Sequence, residues 1–404
     1  MNQGFFTPAQ LSTAKAQTTI PRCGLCGLYR SCLSPKMKPT GEGRKGVLVI
    51  AEAPGEKEDR VGIQLKGKAG QYLRQVLRSH HYHLDRDCWK TNACACRPPG
   101  NKKPTEAQIA ACRPNLLKTI KKFKPNVIIL LGQTAVESVI PIVWKDESSI
   151  SLTKWLGWNI PDQKFNSWIC PTWHPSYLLR SNNDVLELLF RRHIRSALRH
   201  VERPFTVLPD LRAGLDLIAR PRLAALAIRE MIGKKPITYD FETNCIKPEE
   251  EGSEIVCCSV ANGKRSIAYP WSGEAVEATA ELLRSKTPKV GANIKFESRW
   301  TKNKLGFWPK AWIWDTMIAA HVLDNRSGIT SVKFNAYVHF GTPDWDSHIK
   351  PYLDAPKGQK LNNIREVPIM NLLEYCAIDS REERKIYKKQ VKLMKKLNPG
   401  RSTS

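Results

Sequence analysis

Gly46-Val-Leu-Val-Ile-Ala51-Glu-Ala-Pro-Gly55 decides how the first half of the chain is read. A short apolar run ends in small residues and breaks at Pro54-Gly55, the pattern of a buried strand that delivers a loop. Working outward, Lys124–Gly132 (KPNVIILLG) is a second such run, preceded by a helix-like stretch over Thr105–Phe123. Trp168–Pro171 leads into Trp173–Arg180, and a basic helix is expected over Asp184–His200. Arg191, Arg192, Arg195 and Arg199 lie close to one face of that helix, which suits either a phosphate backbone or plain solvent.

Residues 203–235 interrupt the pattern with Pro204, Pro209 and Pro221. Alternation then resumes, with strands expected at Pro236–Phe241, Glu254–Ala261, Arg265–Tyr269 and Val290–Ala292. Helices are expected at Ala275–Arg284, Lys295–Lys304, Asp315–Leu323 and from about Met370 to Lys396. No internal repeat links the halves. The fold class expected is α/β in two domains, 1–204 and 235–395, joined by a connection over 205–234 and followed by a mobile tail, 396–404.

The whole chain has 404 residues, consistent with two or three domains, and carries 64 Lys and Arg against 38 Asp and Glu, a net charge of +26. Residues 1–205 hold 32 basic and 15 acidic side chains (+17), and residues 206–404 hold 32 and 23 (+9). Both halves being basic points to a polyanion such as DNA or RNA. With 41% apolar and 25% charged residues, wholesale disorder is excluded. No apolar run approaches the ~18 residues of a membrane span, and no secretory signal is visible in Met1–Gln10. A reducing, cytosol-like compartment is expected, so the 12 cysteines need a reason other than disulfides.

Cys23-x2-Cys26 stands near the N-terminus, and Cys96 and Cys112 follow at Cys-x15-Cys spacing. Four thiolates suit either one Zn²⁺ or a 4Fe–4S cluster, and the second pair would tie the N-terminal arm onto the domain. Cys32, Cys88, Cys94 and Cys170 are left as spares. Around them, in order, come Ala51-Glu-Ala-Pro-Gly-Glu-Lys-Glu-Asp59, Gly67-Lys-Ala-Gly-Gln-Tyr-Leu73, Thr91-Asn92, Cys96-Arg-Pro-Pro-Gly-Asn101, Leu131-Gly132 and His174-Pro-Ser-Tyr-Leu-Leu-Arg180. This series, over about residues 20–200, resembles the family-4 uracil-DNA glycosylases. The resemblance implies a three-layer α/β/α domain with a parallel sheet and a structural 4Fe–4S cluster on Cys23, Cys26, Cys96 and Cys112.

It also implies roles. His174 would donate to the uracil oxygen and stabilise the departing anion, and Glu52 would orient or activate water. Asn92 would read the uracil edge through its paired amide atoms. Ser176 would touch phosphates beside a flipped base, and Arg180 is counted with the DNA-binding residues. The family's stacking phenylalanine is replaced: Gln64 and Leu65 stand where Pro-Phe is usual. Base–aromatic stacking is worth roughly 1–3 kcal/mol, so a weakened excision is expected.

In the second half, Tyr239-Asp-Phe-Glu-Thr243 ends an apolar strand, and period-2 alternation puts Asp240 and Glu242 on one face. Asn293-Ile-Lys-Phe-Glu297 follows another strand, and Tyr375 and Asp379 share a helix face at i, i+4. Converging acids in a basic protein suggest cations held against phosphate. The set resembles the tyrosine-bearing DEDD 3′→5′ exonucleases of family A DNA polymerases, phage ones included, with Trp314-Asp-Thr-Met317 as a further match. The resemblance implies a ribonuclease H-like domain in which Asp240, Glu242, Glu297 and Asp379 hold two Mg²⁺ (or Mn²⁺), and Tyr375 orients the attacking water. Glu297 replaces the usual Asp, which lengthens that arm by one methylene. Asp315 is read as structural.

The leading expectation is therefore a uracil-DNA glycosylase joined to a Mg²⁺-dependent 3′→5′ DNA exonuclease, acting on single strands or 3′ ends. A second is the proofreading subunit of a split phage-type polymerase, with the catalytic palm on a separate chain and a glycosylase-like half that only grips DNA. A third has both halves degenerate and serving as a DNA tether. A cytoplasmic setting, phage-encoded within a host, goes with the first two, and no membrane association is expected.

Overall fold

The computed structural model describes residues 22–145, 150–202 and 206–397. Of the expected tail, 396–404, the first two residues belong to helix Ile369–Leu397, and the rest, like the reading of Met1–Gln10, lies outside the described residues. The chain divides into two compact units, Met1–Val207 and Leu208–Ser404.

The first unit is built on β1 (Val47–Ala51), β2 (Cys88–Asn92), β3 (Val127–Leu131), β4 (Ile160–Asp162) and β5 (Ser167–Thr172), in the order β2-β1-β3-β5-β4. β2, β1, β3 and β5 run parallel, and β4 alone is antiparallel at the edge, so the expected parallel sheet carries one reversed strand. β1 and β3 are buried along their whole length, as strands covered on both faces must be. Val47, Val49, Val127 and Ile129 face one side, where Leu73, Leu77, Phe190 and Ile194 from helices Lys68–Arg78 and Asp184–Leu198 cover them. Alternation turns Leu48, Ile50, Ile128 and Leu130 the other way, the side on which helices Glu106–Phe123 and Gln133–Val143 bury their apolar stripes. Helix Glu106–Phe123 starts where it does because Thr105 and Gln108 form a reciprocal capping box.

The second unit has six strands: β6 (Leu215–Leu217), β7 (Ile237–Thr243), β8 (Ile255–Ala261), β9 (Ser266–Pro270), β10 (Lys289–Gly291) and β11 (Trp312–Asp315). Their order is β11-β10-β7-β8-β9-β6. β7, β8 and β9 form an antiparallel meander, while β10 and β11 add in parallel on the other side of β7. This is the ribonuclease H-like arrangement, with β7 central. The stretch 205–234 is more than a connection: β6 pairs with β9, and helix Pro221–Arg229 packs its alanines into the core under the sheet. Helices Glu274–Arg284 and Ile294–Leu305 share that side, and the long helix Ile369–Leu397 covers the other. Among the described residues no helix is long and apolar enough to cross a membrane.

Candidate functional site

In the first unit, four parallel strands deliver their carboxyl ends to one edge, where α/β sheets place their ligands. Ala51 and Asn92 are register partners in β1 and β2, so Glu52 emerges beside Asn92. Leu131 and Thr172 are partners in β3 and β5, which brings Gly132 and Thr134 towards His174. Gly132 has φ +85, and a Cβ there would lie 2.9 Å from the His174 Cβ, so a side chain would displace the histidine. Thr134 Oγ1 donates to Glu52 Oε2 at 2.8 Å, fixing one carboxylate oxygen.

Asn92 is 6% exposed, and its Nδ2 has no hydrogen-bond partner among the described residues. A buried amide without a partner is costly unless a ligand satisfies it. His174 precedes helix Pro175–Ser181. Its Nδ1 accepts from the Ser176 N–H at 3.2 Å and lies 2.7 Å from the Ser176 hydroxyl. The acceptor role at Nδ1 leaves the proton on Nε2. Burial, reinforced by Arg180 and opposed by Glu58, lowers the His174 pKa to about 4, so the ring is neutral at pH 7. Ser176 is thereby engaged by the histidine, and Arg180 is exposed at the end of the same helix.

Leu65 is a core residue, packed with Leu73 and Val76 and in the left-handed region at φ +55. Gln64 is fully buried: its Nε2 donates to the Lys38 carbonyl and its Oε1 accepts from Thr40 Oγ1, both at 2.5 Å. The pair that replaces Pro-Phe thus clasps the 38–40 segment.

Cys23 and Cys26 sit on the single turn Cys23–Cys26, which the Arg22 N–H ties to the Ala111 carbonyl near Cys112. Asp59 receives the Leu33 and Ser34 amides and pins the same arm from the other side. Cys23, Cys26, Cys96 and Cys112 line one cavity, and Cys94, left as a spare by the sequence, lines it as well. Cys94 shares a hydrogen bond with Cys112 that pulls the Cys112 pKa down to about 6, and Cys32 abuts Cys96. The Lys36 and Ala95 amides donate to Cys96 Sγ and Cys112 Sγ, each at 3.2 Å. All these thiols are free. Among the described residues, no three of them come within 4.8 Å of one another. Four sulfurs ~2.3 Å from one zinc would, so this cage is wider than a single ion. Soft donors, amide support and that width fit an iron–sulfur cluster.

In the second unit, β7 turns Asp240 and Glu242 to one face and Phe241 into the core, as its period requires. Tyr375 and Asp379 come from the long helix, whose register is pinned by sheet hydroxyls. Ser259 donates to the Cys376 carbonyl at 2.7 Å, Ser266 to Ala377 at 2.6 Å and Thr238 to Ser380 at 2.7 Å. Tyr375 hydrogen-bonds Asp379, and Trp345 Nε1 donates to Asp379 Oδ1 at 2.8 Å. Ligand atoms of Asp240, Glu242 and Cys376 lie within 4.8 Å of one another, the only such trio among the described residues. Glu297 is 4% exposed, and its Oε2 has no partner among the described residues.

The clustered carboxylates are buried and repel one another. Burial and then Asp379 push Asp240 up to about 7, and burial pushes Asp379 up to about 6. Burial raises Glu242, with Asp240 next, and raises Glu297 with Asp240 again the main neighbour. Glu383, one turn beyond Asp379, is raised by burial, Glu297 and Asp240, and accepts from Thr316 Oγ1 at 3.1 Å. Asp315 caps helix Thr316–Leu323 through the Met317 and Ile318 amides and also receives Asn293 and Ile294, a structural role. The sequence reading missed Glu383, Trp345, Thr134 and Cys94. Only Glu383 had a signal, the i+4 step from Asp379.

The first unit's fold and site are those of a base-excising glycosylase domain, and the model of the uracil DNA glycosylase superfamily matches residues 39–201. Within that class, the chain belongs to the type-4 uracil-DNA glycosylases: it is 33% identical over 186 residues to the enzyme of Thermotoga maritima, covering 92% of that protein and 46% of this chain. Across both units it is similar to a DNA polymerase of Bacillus phage SP01, 23% identical over 383 residues, which is 86% of this chain and 40% of the polymerase. Among solved structures, RNase D of Escherichia coli, an exoribonuclease, superposes with a TM-score of 0.35 at 14% identity over 45% of each chain.

Proposed function

We propose that the chain is a DNA-processing enzyme in which the first unit excises uracil and the second trims DNA 3′→5′ with divalent cations. The observation that carries the reading is common to both units: each buries, at its site, a polar atom that no group among the described residues satisfies, Asn92 Nδ2 and Glu297 Oε2.

In the first unit a flipped uracil would pair with the Asn92 amide. As the bond from the sugar C1′ to the base nitrogen breaks, negative charge gathers on the base oxygens, and the neutral His174 donates its Nε2 proton as a hydrogen bond there. Glu52, held by Thr134, orients water onto C1′ and offsets the sugar's positive charge. Cys23, Cys26, Cys96 and Cys112 would hold a 4Fe–4S cluster, which supplies a cross-link between the N-terminal arm and helix Glu106–Phe123 rather than a redox step.

In the second unit Asp240, Glu242 and Asp379 would hold divalent cations, with Glu297 as the fourth carboxylate. Two such ions supply Lewis-acid activation of water and neutralise charge on the leaving 3′ oxygen. Tyr375, bonded to Asp379, orients the attacking water, and Trp345 fixes the remaining Asp379 geometry.

The burial of Leu65, and the similarity to a phage polymerase across both units, favour a second reading in which the first unit grips DNA without excising and the second proofreads for a polymerase on another chain. A 5′-labelled strand with one uracil separates the two readings. Alkali cleaves it at the uracil if the first unit is active; an intact strand with 3′ trimming under Mg²⁺ leaves the second reading.

A further inference from the structure

Lys333 lies in the first turn of helix Val332–Phe340, whose start is fixed by the Ser331 cap on the Phe334 amide. Asn335 Nδ2 holds the approach to that helix through the Ile329 and Ser331 carbonyls at 2.7 and 3.0 Å. The Lys333 ammonium is ion-paired with Asp346 and stands 5.4 Å from the centroid of the Tyr375 ring. Its side chain is 24% exposed, so it reaches the site from the solvent side. The segment carrying Asp346 also carries Trp345, the partner of Asp379, so one loop serves both groups.

The carboxylates Asp240, Glu242, Glu297, Asp379 and Glu383 and an arriving phosphodiester together outweigh the charge of two divalent cations. A third positive charge beside them has a task to perform. We propose that Lys333 is a catalytic residue of the second unit that leaves Asp346 and bonds a non-bridging oxygen of the scissile phosphate, meeting the charge that grows there as water attacks. The alternative, that Lys333 only braces Asp346, gives it no reason to lie over the ring of Tyr375.

The inference rests on the nuclease reading, and the test keeps the two apart. Full-length protein is compared as wild type, Asp240→Ala, Lys333→Ala and Lys333→Arg, measuring 3′ trimming of a labelled strand under saturating Mg²⁺ and Mn²⁺ affinity by electron paramagnetic resonance. A preorganised donor on developing charge is worth about 100-fold in kcat, so Lys333→Ala loses about that much while binding Mn²⁺ as wild type does. Lys333→Arg, which keeps the charge, recovers most of the rate. Wild-type trimming by Lys333→Ala, a loss of Mn²⁺ affinity in it, or equal inactivity of both Lys333 variants overturns the proposal. Inert wild type, or an Asp240→Ala as active as wild type, overturns the nuclease reading instead.

Discussion

In the proposed excision His174 enters the reaction uncharged, because burial makes the imidazolium expensive and because the Ser176 N–H occupies Nδ1. Replacing it with alanine removes the donor on the departing base. We expect a loss of about 100-fold or more in uracil excision, measured as alkali-labile breaks, with 3′ trimming unchanged. Thr134→Val frees the Glu52 carboxylate to rotate, and a fall of about tenfold is expected from losing one charged hydrogen bond; an unaltered rate would remove Thr134 from the site. Asp240 and Asp379 make a different prediction. Their folded pKa values are about 7 and about 6 against an ordinary 3.8, so the folded protein holds protons that the unfolded chain releases. The resulting cost begins above pH 3.8 and is complete once pH passes about 7, so stability without cations falls across that window. In chelator, Asp240→Asn should raise the melting temperature of the second unit at about pH 7.5 and should flatten its decline with pH. A melting curve indifferent to the substitution would contradict the buried-charge account. At this scale the motif residues were legible because their chemistry and spacing are shared along the chain. Trp345 and Thr134 were not, because a lone aromatic or hydroxyl carries no pattern until the fold brings a carboxylate to it.

Among the elements, β1 and β3 were readable because strands buried on both faces are runs of apolar residues, and β7 because Tyr239 and Phe241 alternate with Asp240 and Glu242. β2 was not: Cys88-Trp-Lys-Thr-Asn92 reads as polar, yet Lys90 is buried by its ion pair with Asp85. β6 was hidden because it is three residues long and lies at an edge. Helix Val332–Phe340 is rich in aromatic and β-branched residues with strand propensity, and only its Ser331 cap and its packing make it helical. That misleading composition concealed the element that carries Lys333 beside Tyr375. Helix Lys68–Arg78 offers a test of element placement. A Cβ on Gly70 would lie 1.9 Å from the Leu65 carbonyl oxygen, the group that also receives Arg74. Gly70→Ala must therefore move backbone. We expect a loss of about 2–3 kcal/mol, the usual scale of overpacking, by chemical denaturation; a neutral result would mean that the Leu65 turn is not held as described.

For the whole molecule, the charge of +26 divides as +17 and +9 between the two halves of the sequence. The lower figure accords with a second unit that gathers carboxylates for cations. Nucleic-acid binding by both basic halves should weaken linearly in log–log terms as salt rises. The two proposed chemistries use unlike means, hydrogen bonding to a leaving base in one unit and cation-assisted attack on phosphate in the other, so on this proposal they should separate by reagent. The most direct measurement places a 5′-labelled strand with one uracil before the full-length protein, with Mg²⁺ and with chelator, followed by alkali. The account predicts a break at the uracil in both conditions and a ladder from the 3′ end only with Mg²⁺. No break in either condition, together with no ladder under Mg²⁺, would contradict it.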